Sequence, residues 1–489
     1  MLEATRPSPA LGVLSATVNF FAVLIVAVFV LTGRDLDAAE RLATVVIRDV
    51  PHVRQKPDFC GEACAEMWLR QRKLAVDQDD VFDQSGLDPI LGRGCYTKEL
   101  AQALKRIGFR IGDVYTLIPV RTVEASLDKA FTELHSDLKL GVPSIVCMHF
   151  DDLPRTTEHF RLVLGYDEKT DEVVYHDPAV DDGANLRMER RQFFKLWPLK
   201  YAADTWTLVR MRLDAGKLPA ATAAAANEFT AADYAQHILG LRQRLPHAGF
   251  AIVIQKPFVV VGDEPLETVQ RRADQTVKWA VERLKREYFA RDPTEIIDIW
   301  LFQDAPSYEE HTEKLTRRKP TTPYGFYSPT DKALFMNIST GGGTLVHEIV
   351  HPFIASNFPD CPSWFNEGLA SLYEQSGERD GHIIGQTNWR LRGLQTAIRK
   401  ETVPAFESLC RTTTREFYDQ DQGTNYSQAR YLCYHLQEHG LLGKYYHAFR
   451  KNAATDPTGY KTLKAVLGEE DMAKFKQRWE AEVLKLRFQ

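Results

Sequence analysis

His347 and His351 lie four residues apart in TLVHEIVHPFIASNFPDCPSWFNEGLASLYE, the stretch from Thr344 to Glu374. On a helix that spacing puts both imidazoles on one face, one turn apart, within reach of a single metal ion. Glu348 leaves the same turn beside the ion, where its carboxylate can take a proton from a water that zinc has acidified to a pKa of about 7. Two imidazoles do not complete a catalytic zinc site, which takes a third protein ligand and keeps one position open. Sixteen residues after His351, beyond Pro359 and Pro362, a second helical pattern, WFNEGLASLYE, carries Glu367.

His-Glu-x-x-His followed by a Glu on the next helix resembles the gluzincin metallopeptidases, and W-F-N-E-G-L-A resembles the W-x-x-E-G-x-A form of their smaller bacterial relatives. The likeness extends upstream through PYGFYSPTDKALFMNISTGGGTLVHEIVH, where Lys332 to Ser339 is expected as the edge strand that in that family lies beside the zinc helix and pairs with extended substrate. The resemblance implies His347, His351 and Glu367 as zinc ligands and Glu348 as general base. Two departures stand out. The interval to Glu367 is shorter than in thermolysin-like enzymes, and Ser371 occupies the place where those carry an Asp that orients a zinc histidine. Pro352 also has no N–H for the carbonyl of Glu348, so a kink is expected there.

A second set of reactive residues lies upstream. PDFCGEACAEMWLRQRK opens a helix with Ala63, Cys64, Met67 and Trp68 on its apolar face, which places Cys60 at the helix N-terminus, where unpaired N–H groups favour a thiolate. EHFRLVLGYD and EVVYHDP are expected as two strands joined by a turn around Glu168 to Asp171, and folding them as a hairpin brings His159 and Asp177 to one end. A cysteine, a histidine to take its proton and a carboxylate to fix the imidazole tautomer are the parts of a papain-like acyl-transfer site. This half resembles papain-like cysteine peptidases of the bacteriocin-processing type over about 150 residues. The resemblance implies Gln55 as oxyanion donor, Cys60 as nucleophile, His159 as general base and Asp177 as orienting acid, with GCYTKELAQALKRIGF as intervening helix. His149 and His176 have no such place: His176 alternates away from Asp177 along its strand.

The chain has 489 residues, enough for two or three cores. Its net charge of −5 is spread over mixed signs with no basic stripe, so nucleic acid is not an expected partner. Ala10 to Thr32 is apolar and long enough to cross a bilayer. Its length favours a membrane anchor over a cleaved signal, and Arg6 before it with Asp35, Asp37 and Glu40 after it favours both domains outside the cytoplasm, with secretion after cleavage as the alternative. Seven cysteines are too few for a disulfide scaffold; Cys361, Cys410 and Cys433 are open to a bridge or to buried reduced thiols.

The expected organisation is α+β and multidomain: an N-terminal transmembrane helix (1–41), a papain-like α+β domain (42–213), an Ala-rich linker (214–228) and a zincin-like α+β domain with a helical C-terminal subdomain (229–489). FAIVIQKPFVVVGD is expected as paired strands, and from Leu391 onward the pattern is mainly helical. Tyr426 is a candidate oxyanion donor from that region, with Tyr431 and His435 behind it, each more readily explained as amphipathic core. The expected activity is hydrolysis of protein or peptide substrate by Zn2+-activated water, with a second, thiol-dependent site. The rival readings make one domain a peptide or cell-wall binding module, or both sites vestigial on an anchored scaffold.

Overall fold

In a computed structural model, residues 42–215, 218, 228–419 and 424–488 are described. The Ala10 to Thr32 span and most of the Ala-rich linker lie outside them. No helix among the described residues is long and apolar enough to cross a membrane.

In the first half the apolar runs of period two become strands and the amphipathic stretches become helices. The order is β1 (Val45–Val46), α1 (Cys60–Gln71), α2 (Gln78–Asp83), α3 (Thr97–Ile107), β2 (Phe109–Arg110), β3 (Tyr115–Pro119), α4 (Val123–Lys139), β4 (Ser144–His149), β5 (Glu158–Asp167), β6 (Glu172–His176), β7 (Leu186–Glu189), α5 (Arg190–Leu196), β8 (Thr205–Arg212) and β9 (Asp214–Ala215). An antiparallel sheet runs β3-β8-β4-β5-β6-β7, with β1 on the far end of β5; β2 and β9 pair separately. The β5–β6 hairpin turns where the sequence places it, with a bulge between Val163 and Gly165. Cys64, Met67 and Trp68 of α1 share one core with Phe160, Leu162 and Leu164 of β5. That packing fixes the start of α1 against β5.

The second half opens with α6 (Ala231–Arg244), whose N-terminus is closed by a capping box between Thr230 and Asp233. Next come β10 (Ala251–Gln255), β11 (Phe258–Gly262), α7 (Leu266–Arg272), a π-helical stretch, α8 (Trp279–Glu287), β12 (Ile297–Phe302), α9 (Ala305–Thr316), β13 (Gly325–Ser328), β14 (Ala333–Asn337), α10 (Gly343–Asn357), α11 (Ser363–Leu372), β15 (Ser376–Arg379) and β16 (His382–Gly385). The remainder is helical: α12 (Arg390–Arg399), α13 (Phe406–Cys410), α14 (Thr414–Asp419), α15 (Thr424–Glu438), α16 (Leu442–Asn452), α17 (Tyr460–Leu467) and α18 (Met472–Lys485). Helix α6 is shared between the halves. Ala232 and Ala235 enter the core of the first, while Tyr234, Ile238 and Leu241 pack with Trp300 and Phe335 of the second sheet.

That sheet has the order β10-β11-β12-β14-β13. The segment expected at its edge, Lys332 to Ser339, is instead interior: Ala333–Asn337 runs parallel to β12 on one side and antiparallel to β13 on the other. All five residues of β14 are buried, as an interior strand requires, whereas Phe326 and Tyr327 at the centre of β13 are half-buried. The edge strand is therefore Gly325–Ser328. Helix α10 continues as α-helix through Pro352.

The start of α10 is held very close to the end of α11. A Cβ on Gly343 would stand 1.9 Å from the carbonyl oxygen of Glu374. Gly343→Ala is therefore expected to push the two helices apart and lower stability by about 1–3 kcal/mol, read from the urea midpoint of the full chain.

Candidate active sites

His347 and His351 project from α10, and Glu367 from α11 meets them. One ligand atom from each lies within 4.8 Å of the others. His347 Nε2 is 3.3 Å from Glu367 Oε2, and His351 Nε2 is 3.8 Å from Oε1. The His351 ring is held from behind by a hydrogen bond, whereas His347 Nδ1 is buried without one among the described residues and has only a carboxylate nearby. Asn366 Oδ1 is 3.0 Å from His351 Nδ1, and Glu374 Oε1 is 3.5 Å from His347 Nδ1, an ion-pair distance. Glu374 is thus the carboxylate on the Nδ1 side of His347, and the Ser371 hydroxyl turns back to the carbonyl of Gly368. Glu374 is itself held by Asn388 and by a two-point contact from Arg390.

The electrostatics fit a cation. Glu367 Oε2 is buried without a hydrogen-bond partner among the described residues, and three carboxylates, Glu348, Glu367 and Glu374, converge on His347. Burial would raise the carboxyl of Glu367, but His351, His347 and the Tyr418 hydroxyl outweigh it and hold it down at about 2. Burial would likewise favour a neutral His347, yet Glu348, Glu367 and Glu374 lift the imidazole to about 9. Glu348 is pushed up, mainly by burial, against the lowering effect of the two histidines. Two histidines and a carboxylate are a donor set that suits zinc.

Glu348 Oε2 accepts the backbone N–H of Tyr327 at 2.9 Å, so the edge strand β13 steadies this carboxylate. Cavities of about 1010 Å3 and about 450 Å3 lie to either side; His347, Glu348 and Tyr426 line both. Tyr418 donates to Glu367 Oε1 at 2.6 Å. The sequence pattern does not mark Tyr418, because a Tyr on a short polar helix carries no periodic signal. Of the other candidates, Tyr426 is at the site. Tyr431 is fully buried against Asn388, and His435 faces Glu482. With His439, this pair forms a second group of possible metal donors, largely exposed at the surface.

In the first half, Cys60 begins α1, His159 lies on β5 and Asp177 follows β6. His159 Nε2 is 2.7 Å from Asp177 Oδ1, which leaves Nδ1 for the thiol. The next thiol on α1, Cys64, donates to the carbonyl of Phe160, the residue after His159, at 3.6 Å. The Gln55 N–H donates to the carbonyl of Pro178 at 3.0 Å, joining the Gln55 segment to the Asp177 loop, and its side-chain Oε1 is buried without a hydrogen-bond partner among the described residues. Burial works against the thiolate expected at the helix start. Burial pushes the Cys60 thiol up to about 12, and Glu62 and Asp58 add to this against the backbone of Phe160 and Gly61. His176 is structural, bonded to the carbonyl of Val50 and the N–H of Asn185. His149 Nδ1 is buried with no partner among the described residues. All seven cysteines are free.

Residues 47–203 match the family model described as the Peptidase_C39 like family. The chain carries a Peptidase_C39-like domain. That domain contains Cys60, His159, Asp177 and Gln55, and it ends well before the His347–His351–Glu367 group. The peptidase domain of Streptococcus ComA, described as a bifunctional ABC transporter involved in a quorum sensing pathway, is 15% identical over 34% of this chain and 100% of its own, with a TM-score of 0.23. A score that low says nothing about how this chain is arranged. No curated protein matches the chain.

A metal ion binds the neutral imidazole, so below about pH 9 uptake must expel the proton that His347 holds in the metal-free protein. Affinity should rise with pH by up to about tenfold per unit until about pH 9, with proton release seen by calorimetry in buffers of different ionisation enthalpy. Asn366→Ala, which frees the His351 ring, should weaken zinc binding by about 10–100-fold in a chelator competition.

Proposed function

We propose that the chain is a two-site peptidase: a cysteine peptidase unit at Cys60, His159, Asp177 and Gln55, followed by a gluzincin-type zinc unit at His347, His351, Glu367 and Glu348. The observation that carries the zinc reading is the turning of both histidines: Asn366 stands at Nδ1 of His351, Glu374 lies on the Nδ1 side of His347, and both Nε2 atoms face the Glu367 carboxylate. His347, His351 and Glu367 would hold the ion. When bound, zinc lowers the pKa of a water and polarises a scissile carbonyl.

Glu348 then acts as general base and returns the proton to the leaving amine. The Tyr327 N–H keeps its carboxylate oriented. An extended peptide would lie along β13, the outer strand beside α10. Tyr426, which lines both cavities, would donate to the developing oxyanion, while Tyr418 keeps its proton on Glu367. In the first half, His159 takes the Cys60 proton while Asp177 holds the imidazole tautomer, and the Gln55 amide faces the carbonyl oxygen. The apolar Ala10 to Thr32 segment supports a membrane-anchored chain with both units outside the cytoplasm.

Chelator and thiol alkylator applied separately to the full chain on a casein-like substrate should each remove a different activity. Glu348→Gln should cut the chelator-sensitive rate by about 10²–10⁴-fold and leave the other intact. Cys60→Ala should do the reverse. A single activity insensitive to both reagents would contradict the dual assignment.

A further inference from the structure

His435 and His439 repeat, at the end of α15, the four-residue spacing of His347 and His351, and so stand one turn apart on one helix face. Their ring centroids are 4.1 Å apart. Glu482 comes to them from α18, with Oε2 2.9 Å from His435 Nδ1. One donor atom from each of the three lies within 4.8 Å of the others.

The surroundings fix both rings. His439 Nδ1 is 2.8 Å from the carbonyl oxygen of His435, which can only accept, so that nitrogen carries the proton and Nε2 keeps its lone pair. The His435 ring meets Phe475 of α18 edge-on, 5.3 Å between centroids. Among the described residues the one ion-pair partner of Glu482 is His435, so no Lys or Arg there answers its charge. His435 stands in the last turn of α15 and His439 directly follows it, where the free carbonyls of a helix end favour a cation. Two imidazoles and a carboxylate are donors that suit zinc, and imidazole suits nickel and copper as well.

The elements that carry these donors lead back to the core. Trp479 Nε1 of α18 donates to the carbonyl of Tyr431 at 3.2 Å, one turn before His435. Arg430 of α15 donates to the carbonyls of Ser371 at 2.8 Å and Leu372 at 3.2 Å, at the end of α11. An ion held between α15 and α18 would therefore fasten the last helix of the chain to the helix that backs α11.

We propose that His435, His439 and Glu482 form a second binding site, for a divalent transition-metal ion of the zinc type, and that this ion clamps α18 to α15. The site is separate from the His347 group and does not depend on the zinc-peptidase reading. A closed structural zinc site takes four protein ligands, whereas three leave a position to water. His439 and Glu482 are exposed, so this ion exchanges with solution and the clamp follows the free metal concentration.

The test is equilibrium dialysis of the full chain against about 10 µM free Zn2+, with bound zinc measured by atomic absorption and thermal unfolding followed with and without the metal. His439→Ala and Glu482→Gln should each bind one equivalent less than wild type. In a His351→Ala background zinc should still raise the unfolding temperature by about 1–3 °C, and His351→Ala/His439→Ala should show no rise. Wild-type zinc content in both His439→Ala and Glu482→Gln overturns the proposal, as does a zinc-induced rise that survives in the double variant. If His439→Ala does not fold, the content of Glu482→Gln decides. Loss of an equivalent in His439→Ala with none lost in His351→Ala would keep the clamp and reject the zinc unit at His347. The opposite pattern would reject the clamp and leave that unit standing.

Discussion

Three carboxylates buried around two imidazoles dominate the second half of this protein. Glu348, Glu367 and Glu374 are each less than one-tenth exposed, and all three stand within ion-pair distance of His347. Like charges gathered in a dry pocket repel strongly unless cations answer them. The histidines answer in part, Arg390 answers Glu374, and one oxygen of Glu367 has only the ion-pair contact with His347. The helices α10 and α11, the edge strand β13 and the start of α12 are all bonded to this group, so its charge balance sets where they must sit.

The two halves solve the same positioning problem with different elements. In the second, a helix pair brings His347, His351, Glu348 and Glu367 together and the strand beside it bonds Glu348. In the first, a helix start supplies the thiol and a hairpin supplies its partners. Helix α6 connects the two arrangements. Gln236 Nε2 donates to the carbonyl of Pro57, three residues before Cys60, while His237 and Arg244 bond the buried Asp298 at the heart of the second sheet. A shift of either half would break hydrogen bonds on α6, so the helix joins the segment that leads to Cys60 to the sheet that supports α10 and α11.

Burial changes what the individual groups can do. A cysteine at a helix start is expected to ionise readily, yet desolvation and two acidic neighbours work against the Cys60 thiolate. The same desolvation raises the carboxyl of Glu348. One physical effect thus opposes the charged form of both groups.

Local spacing was enough to bring several of the candidate residues together. His347 and His351 share a helix face because the period is 3.6, and His159 meets Asp177 because a short turn fixes the register of two antiparallel strands. Both are short-range constraints, so a linear sequence contains them. What it could not contain are contacts between elements far apart in the chain. Strand β14 is interior because β12 and β13 flank it; Glu374 stands on the Nδ1 side of His347 because Gly343 lets two helix ends meet; Tyr418 reaches Glu367 from a helix 51 residues away. Arg161 looked like one more strand residue until the fold buried it against Asp177. Periodicity tells which face a side chain takes, but only tertiary packing decides what it finds there.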